Sequence, residues 1–167
     1  MTFDENFPAN ARKSAEEFYK GDRLNCAESI MKALLTNCGE DCPIELLKVA
    51  TGFGSGIGRA GCTCGALTGS VMAAGMLFGR TNDTGRGPNA CIDLSKKIHD
   101  AFKEHHKATC CRVLHHGLPY ATSQQIEACS KRTGETAEIV ARLFMEAAQA
   151  AEAEKAAKAE GTETPAS

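Results

Sequence analysis

Apolar residues recur at helical spacing along most of the chain, and no stretch alternates like a half-buried strand. From Asn10, a candidate N-cap, to Tyr19 the apolar positions Ala15, Phe18 and Tyr19 share one helical face, and Gly21 stops the pattern. Asn25 offers a second N-cap for CAESIMKALLTN, in which Ile30, Met31, Leu34 and Leu35 follow the helical period and Cys26 falls in the first turn. A third helix runs from about Pro43 through Leu46, Leu47 and Val49 until the glycines begin. After Cys64 the text LTGSVMAAGMLFG resumes a helical pattern. Gly61, Gly65, Gly69 and Ala73 recur there every four residues, a small-residue face that lets another backbone come close. TNDTGRGPN reads as a loop, and Pro88 opens a long helix carrying Cys91, Ile92, Leu94, Ile98 and Phe102, with Cys110 and Cys111 just beyond its end. From Thr122 or Ser123 a last helix carries Cys129 and breaks or bends near Gly134 before TAEIVARLFMEAAQAA. The pattern predicts an all-α, single-domain helical bundle over residues 1–150, with a Gly/Cys-rich turn leading into a core helix. The low-complexity tail 151–167 has no large apolar group with which to bury a core, so it is expected to be frayed or disordered.

Composition narrows the functions. A chain of 167 residues suits one hydrophobic core, and 19 basic against 21 acidic residues leave a net charge of −2, too little field to hold nucleic acid or anionic lipid. Residues 60–79 carry no charge, but five glycines among them suit a buried core helix better than a membrane span. The N-terminal text MTFDENFPANARKSAEEFYKG has no apolar h-region, which predicts a cytoplasmic protein. Nine cysteines in a reducing compartment point to metal binding or redox chemistry rather than to a disulfide framework.

The cysteines differ in setting. Cys62 and Cys64 sit in GCTCGALTG at the start of a helix, where unsatisfied N–H groups and the dipole favour thiolate, and Cys26 has the same placement in its own helix. Small core positions also use cysteine, so each has a packing alternative. Cys110 and Cys111 are vicinal and project differently, so one of them reacts or ligates and the other packs. Cys38 and Cys42 flank GED without a second pair at zinc-finger spacing, and they read with Cys91 as bystanders. GIGRAG is a literal G-x-G-x-x-G, with Asp83 downstream, but no strand precedes it; it reads as a flexible turn rather than a dinucleotide site. His99, His105, His106, His115 and His116 cluster about a helix C-terminus, which the dipole favours, and no Cys–His spacing stands out among them.

Cys26, the element Cys64-Gly65-Ala66-Leu67-Thr68-Gly69, Cys111 in CRVL and Cys129 together resemble the C_GCAxxG_C_C family of redox-active proteins, over about Asn10 to Phe144. The cysteine-rich region of that family is in turn distantly similar to part of split-Soret cytochrome c, which has an iron–sulfur centre besides haem. The resemblance implies Cys26, Cys64, Cys111 and Cys129 as the working cysteines, with Cys62 and Cys110, additions beside matched positions, as accessory candidates. Four cysteines are the usual ligand set of a small iron–sulfur cluster, [2Fe–2S] or [4Fe–4S], used in electron transfer or redox sensing with a redox partner protein. Two other readings use the same residues. One is a thiol–disulfide protein that cycles without metal, and the other a structural four-cysteine zinc site. Any of the three is compatible with a homo-oligomer.

Overall fold

Asn25 fixes the start of the central helix. Its backbone is extended, its side chain accepts from the N–H groups of Ala27 and Glu28, and the Glu28 carboxylate accepts from the Asn25 N–H at 2.8 Å, a closed capping box. The computed structural model describes residues 3–21, 24–80 and 90–160. Its helices are α1 (Phe7–Lys20), α2 (Cys26–Asn37), α3 (Ile44–Thr51), α4 (Gly65–Phe78), α5 (Ala90–His106), α6 (Cys111–Leu114) and α7 (Ser123–Glu160). No strand occurs among the described residues, where one isolated antiparallel bridge joins Thr63 to Cys110. The protein is an all-α, single-domain bundle.

Helix α2 packs against α1, α4, α7 and the short α3, while α1 lies along α7 and α4 also touches α5. Ile30, Met31, Leu34 and Leu35 are buried and meet Phe7, Ile98, Phe102, Val140 and Phe144 in one core cluster. The glycine stripe of α4 faces α2. A Cβ at Gly69 would collide with the Ala27 carbonyl and the Ile30 side chain, so the two backbones approach only because none is there. No helix among the described residues is long and apolar enough to cross a membrane.

Three expectations need correction. Helix α1 begins at Phe7 rather than at Asn10, with Pro8 accommodated in its first turn, where the missing N–H costs nothing. Helix α7 runs uninterrupted through Gly134, which is buried against the Glu16 side chain at a point where a Cβ would collide; this glycine brings α1 close instead of breaking the helix. In α3, Val49 is 63% exposed and only Ala50 is buried. The loop TNDTGRGPN with Asp83 and Pro88, and the last seven residues of the tail, lie outside the described residues. Helix α7 reaches Glu160; Ala148 is buried, and positions 149–157 are exposed.

Candidate functional site

Four helix-borne cysteines meet at one place. Cys26 is the first residue of α2, Cys64 the N-cap of α4, Cys111 the first residue of α6, and Cys129 lies in the second turn of α7. All four are buried, and all four line one small void of about 20 Å³. Cys62 and Cys110 do not line it: Cys62 is exposed, and the half-buried Cys110 thiol donates to the Gly61 carbonyl at 3.1 Å. Cys38, Cys42 and Cys91 lie away from the void, with the Cys38 thiol turned to the Leu35 carbonyl.

Two loops are tied together to make this possible. The Cys64 N–H donates to the Thr109 carbonyl at 2.8 Å, the Cys111 N–H to Cys62 at 2.6 Å and the Arg112 N–H to Gly61 at 3.1 Å, so the starts of α4 and α6 are held side by side. Ahead of them the chain takes five consecutive positive φ angles: Ser55 at 53°, Gly56 at 73°, Ile57 at 58°, Gly58 at 56° and Arg59 at 70°. For the three non-glycine residues this backbone costs about 1–2 kcal/mol each. The run is closed by Gly58 N–H to Gly52 O at 2.9 Å and Cys62 N–H to Gly56 O at 3.2 Å, and it lays its backbone on the cysteines. A Cβ at Gly56 would stand 2.7 Å from Cys111 Cβ, and one at Gly65 would collide with Cys26 Sγ. GIGRAG is therefore a hydrogen-bonded left-handed turn over the cysteines, with no strand before it.

Burial holds the thiols of Cys26, Cys64 and Cys111 in the protonated form. It pushes Cys26 and Cys64 upward, and Cys111 up to about 11; neighbouring cysteines add to the rise, against smaller lowering from backbone N–H groups at Cys26 and Cys64 and from Arg132 at Cys64 and Cys111. The sequence-based expectation that helix starts would favour thiolate is overturned at Cys26 and Cys64, because removal from water outweighs a few N–H dipoles.

Sequence reasoning missed the polar groups that complete the site. His115 lies between two of the cysteines, with Nε2 at 2.7 Å from Cys129 Sγ and Nδ1 at 3.8 Å from Cys111 Sγ. Burial, and then Arg132, lower its pKa, so at neutral pH it is an uncharged ring with one nitrogen able to accept a proton. Gln125 Nε2 donates to Cys129 Sγ at 3.2 Å, while Arg132 Nη1 lies 4.0 Å from the same sulfur and donates through Nη2 to the Leu114 carbonyl at 3.0 Å. The signal was present as helical spacing: Cys111 to His115 is i, i+4, and Gln125 and Arg132 lie four before and three after Cys129.

A different donor set satisfies a tighter geometric criterion. Among the described residues, His105, His106 and Glu135 are the trio of His, Cys, Asp or Glu whose ligating atoms all lie within 4.8 Å of one another, at the junction of α5 and α7. No three of the cysteine sulfurs do so. Zinc held tetrahedrally by bonds of about 2.3 Å needs its four sulfurs about 3.8 Å apart, so the cysteines do not form a closed zinc set. A two-iron centre, in which each iron takes two of the cysteines, requires no three sulfurs to be mutually close.

The fold is thus a helical bundle that gathers four cysteines from four helices around one void, under a strained glycine-rich turn. Residues 24–143 match the family described as "Putative redox-active protein (C_GCAxxG_C_C)", and the chain belongs to that family. Neither the curated proteins nor the solved structures contain a match to it.

Proposed function

We propose that this redox-family protein holds a small iron–sulfur cluster through Cys26, Cys64, Cys111 and Cys129 and works in electron transfer or redox sensing. The observation that carries the reading is the convergence of these four cysteines, and no others, on one void. The donor set fits: four soft sulfurs are the usual complement of such a centre, and the glycines at positions 56 and 65 leave the sulfurs unobstructed. The void is small for a multi-atom group measured at van der Waals contact. A bond to sulfur of about 2.3 Å is more than an ångström shorter than a non-bonded contact, so ligation recovers room. Such a cluster supplies one-electron chemistry at a potential set by burial and by hydrogen bonds to sulfur. This chain contributes both, since the cysteines are buried and Gln125 and His115 lie within hydrogen-bond reach of Cys129. Neutral His115 is placed to take up a thiol proton when the site is loaded. A redox partner protein and a reducing, cytoplasmic setting belong to the same reading.

The test is metal and acid-labile sulfide analysis, with a visible spectrum, of the full chain purified without oxygen. Iron and sulfide in comparable amounts are expected. Cys26, Cys64, Cys111 or Cys129 changed singly to Ser should lose both, because an alkoxide is a harder and more basic donor than a thiolate, whereas Cys62→Ser and Cys110→Ser should keep them. Retention of iron in Cys64→Ser would remove that residue from the ligand set. His115, in contact with Cys111 and Cys129, gives specific support to a second reading, a metal-free thiol–disulfide exchange with the disulfide of a partner protein, in which the imidazole takes the proton of the attacking thiol. The partner disulfide is reduced to two thiols and an internal disulfide is left here. Protein without iron that forms a reversible internal disulfide would select it.

A further inference from the structure

Beside the cysteine void lies a second, open cavity of about 320 Å³, and the two share Ser55, Cys111 and His115. The remaining polar wall of the larger cavity comes from Arg59, Arg112 and Tyr120, and no acidic residue lines it. Among the described residues no carboxylate pairs with either arginine. Two unneutralised guanidinium groups thus flank one opening on a chain whose net charge is −2. Arg112 spends one donor, Nη2, on the Ala60 carbonyl at 2.8 Å and is thereby held at the rim with its other donors available. Arg59 lies 5.9 Å above the centroid of the Tyr120 ring, whose hydroxyl is 3.1 Å from Ser55 Oγ. Arg59 and Ser55 both belong to the left-handed run, so the same strained backbone that covers the cysteines also orients this wall.

We propose that this cavity binds a small molecule bearing an oxyanion, a carboxylate or a phosphate, with the anion between Arg59 and Arg112 and the rest of the molecule against Tyr120, next to Cys111 and His115. Guanidinium groups match either oxyanion through paired N–H donors, and the volume falls at the lower end of ordinary small-molecule sites. A polyanion would need a basic face extending beyond the opening, which the overall charge does not provide. The binding itself stands on the cavity and its arginines; its meaning as a substrate or effector site rests on the redox reading above, because it abuts the cysteine centre.

The experiment is isothermal titration of the full chain, purified without oxygen, with inorganic phosphate and separately with malonate, at constant ionic strength and with chloride as the control anion. Saturable one-site binding of at least one probe is expected, and the stronger of the two identifies the oxyanion class. Arg59→Gln should weaken it by about tenfold or more, while iron content and helical circular dichroism stay at the wild-type level. Arg112→Gln should weaken it likewise. Failure of both probes to saturate one site, or equal affinity in wild type and both arginine variants, would overturn the proposal. Protein without iron that still binds in an Arg59-dependent way would keep this site and reject the cluster; protein with iron that binds neither probe would do the reverse.

Discussion

Gly65 and Gly75 lie on the same helix, and alanine at the two positions should act in opposite directions. At Gly65 an added Cβ would collide with Cys26 Sγ and stand 3.1 Å from the Phe53 carbonyl oxygen and 3.2 Å from Ala27 N. Two of these three are backbone atoms, and the sulfur belongs to a buried side chain held at the start of α2, so relief requires α2 and α4 to separate. Overpacking of this kind costs about 1–3 kcal/mol. At Gly75 nothing lies within 4 Å and φ is not positive, so alanine gains helix propensity of about 0.5–1 kcal/mol. For a chain of this length 1 kcal/mol shifts Tm by about 2–4 °C, which places Gly65→Ala roughly 2–12 °C below wild type and Gly75→Ala roughly 1–4 °C above it. Thermal unfolding of the metal-free protein, followed at a helical wavelength, reads both. The close packing of Cys26 on Gly65 is refuted if Gly65→Ala melts at or above wild type. The same variant should also lose bound iron, since displacement of Cys26 moves one of the four sulfurs.

Asn25→Ala should destabilise the fold by about 1–2 kcal/mol in urea denaturation, because it removes a capping box and the bond from Asn25 Nδ2 to the Thr51 carbonyl at 3.1 Å, and it should lower iron occupancy by loosening the turn that carries Cys26. His106 is half-buried against Phe102, and its pKa is lowered to about 4 by burial, then by His105 and Arg132. A lowered folded pKa favours the neutral ring, so the unfolded chain binds more protons between about pH 6.5 and 4; stability should be full above that window and fall through it on acidification. His106→Asn should flatten that part of the profile in denaturation measured against pH. Deletion of residues 151–167 should change Tm by less than Gly65→Ala does, as positions 149–157 of α7 are all exposed.

The parts of the fold visible in the sequence are those whose causes are local. Asn25 followed by Glu28 three residues later specifies a cap through short-range hydrogen bonds, and Ile30, Met31, Leu34 and Leu35 specify the buried face of the same helix. The CGALTG text likewise announced a helix start and close packing. Gly134 misled because its reason lies 118 residues away, in the Glu16 side chain, and nothing near it distinguishes a packing glycine from a helix breaker. The protonation of the thiols was misjudged on similar grounds: a helix start can be read from sequence, whereas the burial that outweighs it exists only after four helices meet. His115 was masked by a bland account of histidines near a helix end, although its spacing from Cys111 was open to inspection. Left-handed conformation at Ser55, Ile57 and Arg59 was not legible, since these residue types disfavour it; it is held by bonds across the glycine-rich turn, such as Gly58 N–H to Gly52 O and Cys62 N–H to Gly56 O.

Two donor sets are candidates for a metal: the four cysteines around the void, and His105, His106 and Glu135 at the junction of α5 and α7. Iron-edge X-ray absorption of the protein loaded with iron and sulfide under anaerobic conditions separates them directly. Ligation by Cys26, Cys64, Cys111 and Cys129 predicts a first shell of sulfur alone at about 2.3 Å, with a second iron in the next shell. A first shell of nitrogen and oxygen at about 2.0–2.2 Å, or no bound iron at all, would contradict the assignment.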